Sequence, residues 1–115
     1  MLSIIIPVYN SEHILKTLIA SLKRNIKLKD NLYEIILVND FSLDNSWKII
    51  EKLKKKNKFI KAINLGNNYG QHYAIFVGLK FAKGKYIVCM DDDMQHDPRY
   101  IAKIIKTLKI YITPD

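Results

Sequence analysis

Cysteine and arginine are scarce in this chain of 115 residues. Cys89 is the only cysteine, which excludes an internal disulfide, and its place within an apolar stretch predicts a small core residue. Arg24 and Arg99 are the only arginines. Because arginine makes many of the specific contacts through which proteins read nucleic acids, we expect no nucleic-acid partner.

Long apolar runs are also absent. No run approaches the roughly 18 residues that a membrane-spanning helix needs, and the first residues lack the segments of a secretory signal. The net charge of +8 comes almost entirely from lysine, which fits attraction to anionic phosphates, to an anionic membrane surface, or simply a solvated surface. We therefore expect a cytoplasmic protein that meets the inner face of a membrane only by surface association or through a missing C-terminal part.

Short apolar stretches alternate with amphipathic ones along the chain. The apolar stretches predict buried strands: Leu2 to Val8, Tyr33 to Val38, Phe59 to Leu65 and Tyr86 to Met90. Apolar residues at helical spacing follow each of them and predict four helices, with expected caps at Asn10-Ser11, at Gly84 and at Asp97-Pro98. This βαβαβαβα order has no linker or repeat. It predicts one α/β domain over residues 1–115, with a mostly parallel sheet and helices on both faces.

Three aspartates follow the last predicted strand directly. Asp91 and Asp93 are two residues apart, so in an extended segment both carboxylates point to the same side. Such like charges are costly together unless a cation lies between them, and oxygen ligands suit Mg²⁺ or Mn²⁺. Gln95 offers a third oxygen. The alternative is a solvated acidic turn that caps the next helix, with Gln95 merely preceding it.

Polar residues also follow the first two predicted strands. In a parallel sheet, ligands bind beyond the carboxyl ends of the strands, so we expect these residues to converge with the aspartates. Asp40 is placed to accept a hydrogen bond from the ring N–H of uracil or guanine, and Tyr9 to stack on that base. Backbone groups near Pro7 and Val8 would meet its edge. The alternative is that Asp40 and Asp44 only cap turns. The loop 66–70 offers backbone N–H groups to a phosphate.

Five segments, taken in this order, resemble the nucleotide-binding half of the family 2 glycosyltransferases, which have the GT-A fold. The segments are Ser3-Ile-Ile-Ile-Pro-Val-Tyr-Asn10, Glu34-Ile-Ile-Leu-Val-Asn-Asp40 with Ser42 and Asp44, Asn68-Tyr-Gly-Gln-His72, Gly84-Lys-Tyr-Ile87, and Met90-Asp-Asp-Asp-Met-Gln95 with Asp97-Pro98. The resemblance covers essentially the whole chain. It is greatest to the branch that moves a sugar from a nucleotide donor to a polyprenyl (undecaprenyl or dolichyl) phosphate.

The resemblance implies a donor site. The implied nucleotide-binding residues are Pro7, Val8, Tyr9, Asp40, Asp91 and Asp92, and the implied ligands of Mn²⁺ or Mg²⁺ are Asp91, Asp93 and Gln95. The implied activity is transfer of a sugar from a nucleoside-diphosphate sugar, with UDP the expected nucleotide, to a lipid-linked or saccharide acceptor such as polyprenyl phosphate. Such transfers build cell-envelope polysaccharides.

The chain departs from the family pattern in three ways. Asn67 stands where many relatives carry an arginine near the phosphates, and Phe41 replaces the glycine of a common Asp-Asp-Gly segment. Relatives also continue well past residue 115, and their second half supplies the acceptor pocket, the catalytic base and often membrane helices. No catalytic residue is therefore assigned, and we expect a truncated donor-binding fragment. The alternative is a catalytically inactive nucleotide-binding module. A receiver-like signalling domain is disfavoured, because Tyr9-Asn10 stands where its acids would be.

Overall fold

The computed structural model describes residues 1–92, and within them strands and helices alternate. The elements are β1 (Leu2–Val8), α1 (Leu15–Asn25), a short 3₁₀ helix (Asp30–Leu32), β2 (Tyr33–Asn39), α2 (Ser46–Lys56), β3 (Ile60–Asn64), α3 (Gln71–Phe81) and β4 (Tyr86–Cys89). The helix expected after Asp97-Pro98 lies outside the described residues.

The four strands form one parallel sheet in the order β3-β2-β1-β4. β1 and β2 are buried along their whole length, as continuous apolar runs in a two-sided parallel sheet should be. α1 and α2 pack with Ile4 and Ile6 on one face, and α3 packs with Ile5 and Ile36 on the other. The predicted α/β class, with helices on both faces, is confirmed.

The order in which strands are added to the sheet reverses at β1, so that β1 and β4 are neighbours. β2 and β3 add to one side of β1, whereas β4 returns to the other side. The carbonyl of Ile5 accepts the N–H of Met90 at 3.0 Å, and the β1–β4 pairing ends there. The backbone nitrogen of Pro7, two residues later, is directed toward the same side as the carbonyl of Ile5, beyond the end of this pairing. The N–H that proline lacks therefore removes no hydrogen bond from the sheet. A crevice opens at this point, as expected where strand order reverses.

Two expected helix caps are wrong. α1 begins at Leu15 with no side-chain cap, because Asn10 turns away in the left-handed region (φ 50°) and accepts the N–H of Leu43 instead. α3 ends at Phe81, and Gly84 does not cap it. Gly84 is needed for close approach, since a Cβ there would lie 2.5 Å from the Ser3 hydroxyl oxygen.

A buried carboxylate connects three strands with the loop before β4. Oε2 of Glu34 accepts hydrogen bonds from the Ser3 hydroxyl (2.5 Å) and the Lys83 N–H (2.7 Å), and Lys61 pairs with Oε1 at 2.5 Å. Burial alone would raise the pKa of Glu34. The hydrogen bonds from Lys61, Ser3 and Lys83 outweigh it and hold the pKa below its ordinary value.

The core prediction for Cys89 is wrong, because its side chain is exposed. β4 has a partner strand on one side only among the described residues, and its side chains alternate between half-buried and exposed. A short apolar run therefore does not guarantee burial on both faces. Within residues 1–92, no helix has the length and apolar content needed to cross a membrane.

Candidate functional site

A cleft of about 360 Å³ opens at the carboxyl ends of β1, β2 and β4. Residues from all three strand ends, from the loop before α3 and from the start of α3 line it: Pro7, Tyr9, Asp40, Asn68, Gly70, Gln71, Asp91 and Asp92. Residues from each of the three polar segments that the sequence placed at strand ends, Tyr9, Asp40, Asp91 and Asp92, therefore meet at one edge of the sheet.

Asp40 is almost fully buried at the base of this cleft, with 4% of its surface exposed. Its Oδ1 accepts the N–H of Tyr69 at 2.8 Å, and its Oδ2 accepts the N–H of Gly70 at 3.0 Å. Asp40 thus holds a loop about 30 residues away rather than its own turn. Each carboxylate oxygen has more than one lone pair, so a ligand N–H can still be accepted. The two loop amides, in contrast, point at Asp40 and not at a phosphate.

Asp44 fits the turn-capping interpretation. Its Oδ1 accepts the N–H of Ser46 at 2.9 Å and its Oδ2 accepts the N–H of Glu12 at 3.1 Å. Partial burial would raise the pKa of Asp44, but the hydrogen bonds from Ser46 and Glu12 lower it. Asp44 does not line the cleft, so its role is to join the loop after β1 to the start of α2.

Asp92 bridges the crevice between β4 and β1. Its Oδ2 accepts the N–H of Tyr9 at 3.0 Å and also the hydroxyl of Ser11. These partners are more than 80 residues away in sequence. Asp92 therefore fixes the backbone that carries the Tyr9 ring. Nothing in the sequence indicated that Ser11 takes part in this contact.

Gln71, the first residue of α3, reaches the acidic segment from the opposite wall. Its Nε2 donates to Oδ1 of Asp91 at 2.7 Å. Sequence reasoning did not select Gln71 or Asn68 as site residues, although both lie in a segment that carries the family resemblance. The signal that could have found them is their place between the end of β3 and the first turn of the next helix.

Two predicted metal ligands, Asp93 and Gln95, lie outside the described residues. Within residues 1–92, no group of three His, Cys, Asp or Glu side chains is placed to hold a metal ion. The side chain of Val8 is buried in the core, and its carbonyl accepts the N–H of Asp40. A contact between Val8 and a nucleotide stays a prediction, as do the binding roles of the other site residues.

Bacterial sugar transferases are similar to this chain in sequence. An undecaprenyl-phosphate 4-deoxy-4-formamido-L-arabinose transferase from Proteus mirabilis (strain HI4320) is 39% identical over 106 residues, which cover 91% of this chain and 32% of the relative. The transferase of the same name from Yersinia pestis (strain Pestoides F) is 40% identical over 104 residues, with 90% and 32% covered. The chain spans about a third of the length of these relatives.

Solved glycosyltransferases share its fold. Residues 1–349 of S. aureus TarS, solved with UDP-GlcNAc, superpose with a TM-score of 0.79 at 28% identity and cover 95% of this chain and 31% of that one. The mannosyltransferase PcManGT from Pyrobaculum calidifontis, solved with GDP-Man and Mn²⁺, gives a TM-score of 0.81 at 18% identity, with 93% and 32% covered. The second likeness is evidence for the fold alone.

The family assignment itself comes from sequence. The model of the family described as glycosyl transferase family 2 matches residues 3–111, which is nearly the whole chain. With a GT-A-type sheet and a cleft at its strand reversal, the chain belongs to glycosyl transferase family 2.

Proposed function

We propose that this chain is the donor-binding part of a transferase that moves a sugar from a UDP-sugar to polyprenyl phosphate. One observation carries this function: the ends of β1, β2 and β4 bring an aromatic ring and three aspartates to one cleft in a family 2 chain. The names of its relatives support an undecaprenyl-phosphate acceptor. The TarS complexes with UDP and UDP-GlcNAc support a uridine nucleotide.

The base would lie between Tyr9 and Asp40. Tyr9 lines the cleft and is 44% exposed as a residue, and its backbone N–H is held by Asp92, so stacking of a base on its ring would cost little in ordering of the backbone. Asp40 would accept the ring N–H of uracil with a lone pair that the Tyr69 and Gly70 amides leave free.

The diphosphate would lie toward the acidic segment with a divalent cation. Asp91, Asp93 and Gln95 would hold Mn²⁺ or Mg²⁺, for which hard oxygen ligands are suited. The fit rests on Asp91, which gives only Oδ1 to Gln71 among the described residues and thus keeps Oδ2 for a cation. Such an ion stabilises the charge that develops on a departing diphosphate.

The protein would work in the cytoplasm at the inner face of the membrane, where a polyprenyl phosphate is accessible. The chain spans about a third of its relatives' length, and the acceptor site and catalytic base are assigned to no residue here. Donor binding without turnover, as in an inactive binding module, is the second candidate. Asn67 favours it, because its exposed amide supplies no cation where the family resemblance implies an arginine.

Isothermal titration calorimetry with UDP tests the donor site. We expect binding in the presence of Mn²⁺ that the Asp93→Ala variant loses. The Asp30→Ala variant, changed in the 3₁₀ helix before the opposite end of β2, is the control and should bind like the parent chain. Equal UDP binding by all three proteins would refute the metal assignment. No binding of UDP or a UDP-sugar by the parent chain would refute the donor site.

Turnover separates the two candidates. Release of sugar from a UDP-sugar, or its transfer to polyprenyl phosphate, is measured on the chain alone and on the chain joined to the C-terminal part of a relative. If the chain alone binds the UDP-sugar without turnover and the joined protein turns it over, this chain is the donor-binding part of an enzyme. Binding without turnover in both proteins supports the inactive module.

A further inference from the structure

Large aromatic side chains line the outer face of α3. The rings of Tyr69 and Tyr73 are 4.6 Å apart between centroids, those of Tyr73 and Phe76 are 6.4 Å apart, and Nζ of Lys80 lies 4.9 Å from the centroid of Phe76. We call these four residues the α3 ladder. Its helical members follow the i, i+3, i+7 spacing of a single helix face.

The ladder faces outward because α3 packs on the sheet through its small residues. Ala74 and Gly78 are buried, and a Cβ at Gly78 would lie 2.6 Å from Cγ2 of Ile5. The large residues are left on the other side, where Tyr73 is 44% and Phe76 is 52% exposed. Several exposed aromatic rings in contact with one another, with lysines beside them, are typical of an interaction surface.

The charged residues of α3 and of the loop that follows it have one sign. Residues 71–85 contain three lysines and no aspartate or glutamate. These three lysines, which we call the basic rim, are exposed at the C-terminal end of α3 and in the loop that follows it: Lys80, Lys83 and Lys85. Exposed tyrosine and phenylalanine rings beside lysines match the chemistry of a lipid–water interface, where rings lie at headgroup level and lysines meet lipid phosphates.

We propose that the α3 ladder and the basic rim dock the protein on an anionic lipid bilayer. The rings enter the headgroup region and the lysines pair with lipid phosphates. A bilayer is favoured over an acidic protein because the side chains of the ladder protrude from a helix surface. A deformable lipid surface can accept them without a matching groove. Lysine also carries a compact charge and lacks the planar guanidinium through which arginine donates two parallel hydrogen bonds to one carboxylate.

Docking through this face would place the donor cleft at the membrane. The ladder begins at Tyr69, whose backbone N–H is held by Asp40 inside the cleft. The cleft would therefore open beside the lipid surface, where a lipid-linked acceptor is located. The docking itself does not depend on the proposed sugar transfer, because it needs neither nucleotide nor acceptor.

Co-sedimentation with vesicles tests the docking. Vesicles of equal parts phosphatidylglycerol and phosphatidylcholine are compared with vesicles of phosphatidylcholine alone, without nucleotide. We expect binding to the first kind only, weakened by added salt. Each lysine near an anionic surface contributes about fivefold to binding, so replacing all three residues of the basic rim with glutamine should weaken it by more than tenfold.

A matched triple variant distinguishes a docking face from general attraction. Lys54, Lys55 and Lys56 lie in the last turn of α2, on the opposite face of the sheet, and their replacement by glutamine removes the same charge. We expect this variant to bind nearly as well as the parent chain. Equal losses in the two triple variants would overturn the docking face, since net charge alone would then explain the binding.

The aromatic part is tested separately. The Tyr73→Ser/Phe76→Ser variant should bind vesicles several-fold more weakly, whereas Leu43→Ser, which removes an apolar side chain that is exposed in the loop after β2, should not. Circular dichroism and UDP titration report whether each variant is folded and retains its donor site. The absence of vesicle binding by a folded parent chain would overturn the inference. Vesicle binding by the Tyr73→Ser/Phe76→Ser variant that equals that of the parent chain, together with capture of an acidic protein through the ladder, would also overturn it.

Discussion

Replacement of Asp40 by asparagine separates two roles of one carboxylate. In the protein, its two oxygens accept the N–H groups of Tyr69 and Gly70 at 2.8 and 3.0 Å in a site with 4% exposure. Asparagine keeps one acceptor oxygen but turns an NH₂ donor toward the second N–H. One amide would then be left without a partner, and the other would lose the charge of its acceptor.

The expected loss of stability follows from these two bonds. A hydrogen bond to a charged group contributes about 1.5–3 kcal/mol, and an unsatisfied buried group costs a similar amount. We therefore expect the Asp40→Asn variant to unfold with a free energy about 3 kcal/mol lower, or a Tm about 10 °C lower for a domain of this size. Urea unfolding followed by the fluorescence of Trp47, the single tryptophan, measures it.

Asp44→Asn is the matched control, because Asp44 also accepts two backbone N–H groups but lies outside the cleft. Both variants should lose stability. Only Asp40→Asn should also lose affinity for UDP, by about tenfold or more for one hydrogen bond to a charged acceptor. Unchanged UDP affinity in a destabilised Asp40→Asn variant would show that Asp40 holds the loop but not the base. Unchanged stability would contradict the hydrogen-bond arrangement itself.

Three further predictions concern the scaffold of the site. Gly84→Ala should lower the free energy of unfolding by about 2–3 kcal/mol, because its Cβ meets the β1 backbone, whereas Gly66→Ala, with open space around it, should change little in urea unfolding. Since the pKa of Glu34 is lowered on folding, its ionised form stabilises the fold above its ordinary pKa of 4.5, and that stability is lost as the pH falls below this value; Glu34→Gln should flatten this part of a stability-against-pH curve, and an unchanged curve would contradict the charge network. Asp92→Ala frees the N–H of Tyr9 and should weaken UDP binding even without Mn²⁺, while an effect seen only with Mn²⁺ would assign Asp92 to the metal instead.

Local pattern determined the strands, the fold class and the edge of the sheet where the site lies. The continuous apolar runs of β1 and β2 need burial on both faces, and alternation with helices then requires parallel strands. The carboxyl ends of parallel strands share one edge, so the convergence of Tyr9, Asp40 and Asp91 followed from the element order. These inferences succeeded because each depends on neighbours in sequence or on a general rule of topology.

Tertiary structure alone decided which atoms meet inside that edge. The hydrogen bonds that the Tyr9 N–H donates to Asp92 and the Gly70 N–H donates to Asp40 join residues 83 and 30 positions apart, and no local pattern encodes such a pairing. The same holds for Gly84, whose lack of a side chain serves the approach of β1 rather than a helix end, and for Cys89, whose exposure depends on which strand lies beside β4. Periodicity fixes which face of an element is apolar, but the distance between two elements is set only when both are packed.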